Sequence, residues 1–490
     1  MRILFLVPPS KGVKNVARDL VYGCWCRGKR IGGITFPPVS LLTVATVLRK
    51  AGHTVALVDA PAIQASLVVL KKKIKNFDFV VVLTSTASVN EDAQVLTELK
   101  KANRKLKTIV FGGHPTAMPK ETLSKPGVDI IVRREAEFVL RDLINAFEKR
   151  QNWQAIKGIG FEKDGQLVVN ELYPLIEDLD ILPIPDRSLL PKKSEYFNPV
   201  VKRLPYTTIF TSRGCPGQCI FCASPVFYGQ KVRAQSAERV LREMEEIKKL
   251  GYKEVFIRDE NFTVSKERVK AICEGILRRD LGLSWICSSR IDAVDKELLL
   301  LMKKAGCHLI RFGVESGDQK ILSEIKKGIK PSLTQKVFAW AGEIGLDTHA
   351  HLMIGMPQET EKTIKKTICF AKKIKPSLAT FGICTPFPGT KLFEQVANVY
   401  PEISDGSKAD LRHLHTTAFY NHVFTKVSEE DLGRLLRLAY REFYFQPSLW
   451  WRWLVKMKSW EEFRRATLAA TQVFDFILRG DEAKTVEREN

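Results

Sequence analysis

The first 150 residues alternate short, nearly unbroken apolar runs with amphipathic stretches of helical period. The runs Ile3–Val7, Thr54–Val58, Phe77–Leu83, Thr108–Phe111 and Asp129–Val132 lack the apolar–polar alternation of a half-exposed strand. They therefore read as central strands of a parallel sheet covered on both faces. Between them, Val39–Ala51, Asn90–Asn103 and Ala136–Lys149 read as helices. This alternation predicts a doubly wound, Rossmann-like α/β domain over residues 1–150. Ligands of such sheets sit beyond the carboxyl ends of the strands. Here those ends carry Ser10, Asp59, the run Thr84-Ser85-Thr86-Ala87-Ser88, and Gly112-Gly113-His114. Small residues at these positions let a large flat ligand approach the backbone.

Residues 151–200 read as a linker containing a hairpin at Gly158–Asn170, turned by Asp164-Gly165, and the extended stretch Leu182-Pro183-Ile184-Pro185. Over residues 201–395 the alternation resumes with candidate strands Thr207–Ser212, Glu254–Arg258, Ser284–Ser288, His308–Gly313, Thr348–Gly355 and Thr380–Pro386. Helical patterns intervene at Ala237–Leu250, Lys266–Leu281, Lys296–Ala305, Leu333–Gly345 and Glu361–Lys373. Six units rather than eight predict a partial (β/α)6 TIM-like barrel. Residues 396–490 keep only helical periodicity. Their last part, Phe443–Ile477, interleaves Trp450, Trp451, Trp453 and Trp460 with arginines and lysines, which suits either an interfacial helix or a helix packed on the barrel.

Composition bounds this reading without redirecting it. Over 490 residues, 45% hydrophobic and 27% charged positions exclude a disordered, collagenous or disulfide-framework protein. The balance of 77 basic and 55 acidic residues gives +22 and points to an anionic partner. The cations are spread over helical faces such as Lys71-Lys72-Lys73 and Lys326–Lys330, read as solvated, with no aromatic-rich platform, so a nucleic-acid partner is disfavoured. Charge and the tryptophan-rich end together suggest peripheral contact with an anionic membrane. The opening MRILFLVPPSKG is too short an apolar run for a signal peptide, and no stretch suits a membrane span, so a cytoplasmic location is expected.

Three of the ten cysteines crowd into Cys215-Pro216-Gly217-Gln218-Cys219-Ile220-Phe221-Cys222, directly after the first barrel strand. Three thiolates on one tight loop can hold three irons of a cubane cluster and leave the fourth open. Zinc would need a fourth protein ligand, and no second Cys or His pair lies nearby. At these residues the chain resembles the radical S-adenosylmethionine (SAM) superfamily, whose signature is C-x-x-x-C-x-x-C with an aromatic residue before the last cysteine. The resemblance continues through Arg258-Asp259-Glu260-Asn261-Phe262, Gly313-Val314-Glu315-Ser316-Gly317, Ile354-Gly355-Met356-Pro357-Gln358-Glu359-Thr360 and Thr385-Pro386-Phe387-Pro388-Gly389-Thr390. It implies a 4Fe–4S cluster on Cys215, Cys219 and Cys222, and SAM as cofactor. It also implies an external electron donor of flavodoxin or ferredoxin type. The implied chemistry is electron transfer into SAM, yielding methionine and a 5′-deoxyadenosyl radical. By the same analogy Glu315 and Ser316 lie near the SAM ribose; a salt bridge from Glu315 to Arg290 or Arg311 is the alternative. Arg290 would meet the SAM carboxylate or pair with Asp292. Asp259 and Glu260 are catalytic candidates at the barrel mouth, or caps of the following helix. Cys384 is a candidate hydrogen donor or radical quencher, or an inert core thiol.

A doubly wound domain ahead of such a barrel resembles the cobalamin-binding subclass of the same superfamily. The residues that carry this are Pro37-Pro38, Leu41-Leu42 and Ala45, then Ala51-Gly52-His53, Asp59-Ala60, and Gly112-Gly113-His114-Pro115-Thr116 followed by Glu135. The resemblance implies cobalamin contacts at Ser10, Asp59, Thr84, Ser85, Gly112, Gly113, His114 and Glu135. The D-x-H-x-x-G motif that supplies a lower histidine ligand is absent from this domain, so the cofactor is expected base-off without one. His114 would touch the corrin or its nucleotide tail, or be structural. Cys24-Trp25-Cys26 lies in the loop after the first strand, and a C-x-C alone specifies no metal. The reaction this implies is methylation of an unactivated carbon in an apolar, lipid- or tetrapyrrole-like molecule. Radical cyclisation of the anaerobic porphyrin-ring cyclase kind is the alternative, and RNA modification ranks third.

Overall fold

The computed structural model describes residues 1–10, 18, 35–192, 196–406, 418–457 and 460–479; Cys24, Trp25 and Cys26 lie outside the described residues. The amino-terminal sheet contains β1 (Arg2–Val7), β2 (Thr54–Asp59), β3 (Phe79–Thr84), β4 (Lys107–Gly112), β5 (Ile130–Val132), β6 (Ile159–Lys163) and β7 (Gln166–Val169), in the order β2-β1-β3-β4-β5-β6-β7. The first five are parallel. Every residue of β3 is buried, as expected of a central strand packed on both faces. Helices Val39–Lys50 and Glu137–Glu148 cover one face, and Leu67–Lys73 with Val89–Ala102 the other. Strand order reverses between β1 and β3, so a crevice opens beyond their carboxyl ends.

The hairpin expected within a linker is instead part of this sheet. β6 pairs antiparallel with β5, and β7 with β6. The alternation Ile159-Gly160-Phe161 explains it: Ile159 and Phe161 enter the core beneath helix Glu137–Glu148, and a linker would leave them in water.

The second sheet begins with β8 (Tyr206–Ile209). A short antiparallel ladder, β9 (Ser212–Arg213) with β10 (Arg233–Ala234), follows. Then come β11 (Glu254–Ile257), β12 (Ser284–Ser289), β13 (Cys307–Glu315), β14 (Asp347–Ile354) and β15 (Leu378–Ile383). Six parallel strands run in the order β15-β14-β13-β12-β11-β8, the open six-stranded barrel that the spacing predicts. Most of its helices start on side-chain caps; Ser236 Oγ accepts from Arg239 N–H, and Asp295 Oδ1 from Leu298 N–H.

The carboxyl-terminal part is helical, with Lys391–Val399, Glu429–Tyr444, Pro447–Lys456 and Trp460–Arg479; the first begins a few residues before the expected boundary at 396. Helix Glu429–Tyr444 protects the open edge of the barrel. Tyr440 and Tyr444 hydroxyls donate to Phe381 O (3.0 Å) and Ala379 O (2.6 Å) on β15. Two phenols thus stand where a seventh strand would satisfy the edge. No helix of the described residues is long and apolar enough to cross a membrane.

At the turn after β14, Met356 N–H donates to Glu359 Oε2 (3.0 Å) inside the core, and Oε1 has no partner. Burial pushes this carboxyl up to about 8, with the Met356 and Gly355 amides partly offsetting it. Because the folded pKa exceeds the unfolded one, stability is greatest with the proton on. It is lost as pH rises through the window between them, by roughly 1.4 kcal/mol per unit. The unfolding midpoint should therefore fall between about pH 6 and pH 8. Glu359→Gln should flatten that fall in denaturation curves; an unchanged slope would contradict this account.

Candidate functional site

The cysteine loop is held at its base by three independent devices. The β9–β10 ladder clamps it at Ser212–Arg213 and Arg233–Ala234. Gly214, at φ +87°, turns so closely that a Cβ would stand 2.3 Å from Lys231 O. Asp259, fully buried just past β11, accepts from Thr211 N–H, Thr211 Oγ1–H and Ser212 Oγ–H, each at 2.6 Å. Asp259 thus lies at the carboxyl end of the barrel with its carboxylate spent on these bonds, and the following helix is capped by Ser265 instead. Asp259 anchors the strand end that carries the loop.

Cys215, Cys219 and Cys222 are free thiols, each partly exposed on this loop. Burial first, then the neighbouring thiols and Glu260, raise the thiols of Cys215 and Cys222, the latter to about 12. Three crowded, partly desolvated sulfurs favour deprotonation only where positive charge reaches them, which is what iron supplies. Arg290 adds one cation, its Nη1 lying 3.9 Å from Cys219 Sγ. Among the described residues no three such side chains gather closely enough for a single metal ion. Ligands to separate irons of a cubane need not do so.

The acids at the barrel top divide by role. Glu260 is partly buried beside the loop, with its Oε2 shielded and without a hydrogen-bond partner, and desolvation pushes its carboxyl up to about 8. Such an orphaned acid suits a cationic or donor-rich ligand. Glu315 accepts from Lys327 Nζ (2.7 Å) rather than pairing with Arg290 or Arg311. Gly313 makes room for that pair, since a Cβ there would lie 2.5 Å from Glu315 Oε1 and 2.7 Å from Lys327 Nζ. Ser316 is buried, its hydroxyl 3.0 Å from that of Thr367. Arg290 pairs with Asp292 through Nε (2.9 Å) and Nη2 (2.8 Å). Cys384 is fully buried, with its thiol raised by burial, so it sits in the core.

Across from the loop, the carboxyl ends of the first sheet form the other wall of a cleft of about 860 Å³, its open mouth included. Ser85, Gly112, Gly113, His114 and Glu135 line it from one domain; Phe210, Val226, Phe227 and Phe387 line it from the other. A Cβ on Gly113 would meet nothing within 4 Å, whereas one on Gly112 would lie 2.2 Å from Thr84 O. Both His114 nitrogens are engaged, Nε2 with Glu121 (2.8 Å) and Nδ1 with Thr86 (3.3 Å). Other expected contacts turn inward. Thr84 is fully buried and donates to Asp92 (2.8 Å), which also pairs with Arg18, and Arg18 in turn donates to Ser10 Oγ (3.0 Å). Asp59 accepts from Ala62 N–H and Tyr196 OH, and burial lifts its carboxyl to about 6.

Sequence reasoning missed the joint between the two walls. Arg213 Nη1 and Nη2 donate to Glu135 (2.9 Å) and Glu137 (2.5 Å), and Arg233 Nη1 donates to both Glu135 oxygens (2.8 and 2.9 Å). Nothing in local spacing marks partners 76 to 98 residues apart. The signal available was the charge density of Arg133-Arg134-Glu135-Ala136-Glu137 just beyond an apolar strand end. Lys327 was also hidden, because it sits in a lysine run that reads as solvated yet is itself buried.

The chain matches the family profile described as the Radical SAM superfamily over residues 209–371, and that of the B12 binding domain over residues 32–144. It is 32% identical over 454 residues, 92% of this chain and 94% of the relative, to a methyltransferase of Pyrococcus horikoshii described as uncharacterized. It is 28% identical over 435 residues, 86% of this chain and 76% of the relative, to the anaerobic magnesium-protoporphyrin IX monomethyl ester cyclase of Rubrivivax gelatinosus. Its fold resembles the radical SAM methyltransferase TsrM of Kitasatospora setae, solved with cobalamin and an iron–sulfur cluster bound, with a TM-score of 0.72 at 16% identity over 96% of this chain and 99% of that one. The chain belongs to the cobalamin-binding subclass of the radical SAM superfamily.

Proposed function

We propose that this protein is a cobalamin-dependent radical SAM methyltransferase acting on an unactivated carbon of an apolar small molecule. The observation that carries this reading is the cleft itself, with the cysteine loop beside one wall and the glycine-bearing ends of the first sheet forming the other. Cys215, Cys219 and Cys222 would hold the 4Fe–4S cluster, and Glu260 would receive the SAM ammonium at its orphaned oxygen. Gly112, Gly113 and Ser85 would let the corrin lie against backbone, while His114, already bonded through both nitrogens, would leave cobalt without a histidine ligand. When bound, the cluster and SAM supply a hydrogen-abstracting radical and cobalamin carries a methyl group. The protein's own part is to position and to exclude water. Phe210, Val226, Phe227 and Phe387 give the cleft an apolar wall that suits an apolar substrate and shields a reactive carbon centre.

An external flavodoxin- or ferredoxin-type donor would deliver electrons, and the location would be cytoplasmic with peripheral contact to an anionic membrane. Cyclisation is the second reading, favoured by the likeness to the Rubrivivax gelatinosus cyclase along most of the chain. Turnover with methyl-labelled SAM separates the two. Methylation places label in the product; a product lacking label while 5′-deoxyadenosine accumulates would reject methylation and favour cyclisation.

A further inference from the structure

On the face of the barrel opposite the cysteine loop lies a second cavity of about 1190 Å³, its mouth included. Leu309 and Leu378, at the amino ends of β13 and β15, form one side, and Tyr444, Trp453, Val473 and Phe474 of the terminal helices form the other. Much of its polar lining is gathered in one place, where Lys202 Nζ meets Asp347 Oδ2 (2.9 Å) and Ser377 Oγ donates to Asp347 Oδ1 (2.9 Å). The Lys202 side chain is 45% exposed there. An apolar slot with a single charged corner is built for an amphiphile.

Two further observations point to the source of that amphiphile. Helix Pro447–Lys456 is apolar on both sides. Leu449 is buried against the barrel and Trp453 Nε1 donates to Ser377 O (2.9 Å), yet Trp451, Leu454 and Val455 are 69%, 55% and 67% exposed. A helix apolar all round normally lies buried. Trp460 and Phe463, stacked at 5.1 Å on the next helix, add to the exposed aromatic surface. The same end of the barrel is basic. Barrel helices run back against their strands, so Ala237–Lys249, Lys296–Lys304 and Glu361–Lys373 all deliver their closing lysine pairs to this face. Lysines favour helix carboxyl ends on their own account. Exposed Arg203 and Lys253, in the loops that enter the strands, are not explained that way. Tryptophans beside cations on an apolar surface suit the headgroup layer of an anionic bilayer.

We propose that this cavity takes the acyl chain of an anionic membrane lipid, with the outer faces of the last two helices in the headgroup layer and the basic rim over the lipid's charged end. The site deepens the membrane contact proposed above and rests on it, but is separate from the reaction cleft. It is tested on the full-length protein with two probes, vesicles of phosphatidylcholine with phosphatidylglycerol and dispersed oleate. Val473→Phe and, independently, Leu378→Phe narrow the slot; Trp451→Ser strips the outer face. The wild type should sediment with anionic vesicles at low salt and bind oleate. Both slot variants should keep vesicle binding and lose oleate affinity by about tenfold or more, since the added ring occupies space that the chain would fill. Trp451→Ser should do the reverse. Vesicle binding without slot-sensitive oleate binding overturns the cavity assignment and leaves the membrane contact standing. Oleate binding blocked by both slot variants, without vesicle binding, keeps the cavity's chain specificity but overturns its membrane source. Dimerisation lost in Trp451→Ser, with no oleate bound, assigns the face to a second copy and overturns the proposal.

Discussion

Replacing Cys215 with alanine is expected to bring 5′-deoxyadenosine release down to background, with loss of the cluster's visible absorption and bound iron. The loop offers three thiols and the described barrel residues no substitute, because Cys273, Cys287, Cys307 and Cys384 are buried in its core and the exposed Cys369 sits on the outer helix Glu361–Lys373. A cubane needs its three protein thiolates to hold three separate irons. Removing one leaves an iron facing water on a partly exposed loop. Iron chelation of the wild type should give the same loss. Cys384→Ala is the control: its thiol is enclosed, and the change should leave cluster and release intact at a cost in stability of about 1–2 kcal/mol for a small core cavity. Release persisting in Cys215→Ala, with cluster absorption retained, would sink the assignment of the loop. Loss of release in Cys384→Ala, with the cluster intact, would instead make that thiol part of the chemistry.

The regular parts of this architecture are legible in the sequence because burial on both faces leaves a local mark. β1, β3 and β4 are unbroken apolar runs, and their limits fall within two residues of those the pattern predicts. The hairpin β6–β7 was recognisable as a hairpin, but its place at the sheet edge depends on Ile159 meeting Val132, a pairing across 27 residues that no local window contains. The three cysteines were legible because their chemistry demands fixed spacing on one loop. The acids around them were not separable by type. Asp259 and Glu260 are adjacent, yet one is consumed by three hydrogen bonds beneath the loop and the other keeps an unpartnered oxygen. Both lie past the end of β11, so the path of the chain leaving the strand, and not residue type, decides which carboxylate meets Thr211 and Ser212. The same holds for Lys327, whose neighbours in a basic run conceal that it is the counter-ion of Glu315.

Arg213→Met should separate the two halves of the chemistry. The guanidinium side chain is 9% exposed and bridges Glu135 and Glu137, whose side chains are 2% and 5% exposed. Burial alone would lower its pKa, but Glu137 and Glu135 hold it well above the ordinary arginine value, so the cation is fixed. Glu135 would keep Arg233 and the Ile176 amide, and Glu137 would lose its cation. Stranding a buried carboxylate costs about 3–5 kcal/mol, so the unfolding midpoint should fall markedly. Arg213→Met with Glu137→Gln should recover much of the loss, because a neutral amide is cheaper to bury than an unpaired charge. The functional consequence follows from position. Arg213 immediately precedes Gly214 and Cys215 on one wall, while its carboxylates stand at the start of helix Glu137–Glu148 on the other. Loosening that joint leaves each cofactor's own residues in place but relaxes the distance between them. Release of 5′-deoxyadenosine should therefore persist in the folded fraction, while methyl transfer to product falls by about 10²-fold, as for other displacements near 1 Å. Equal loss of both activities at full cluster occupancy would show that the joint stabilises the fold without setting the geometry of transfer.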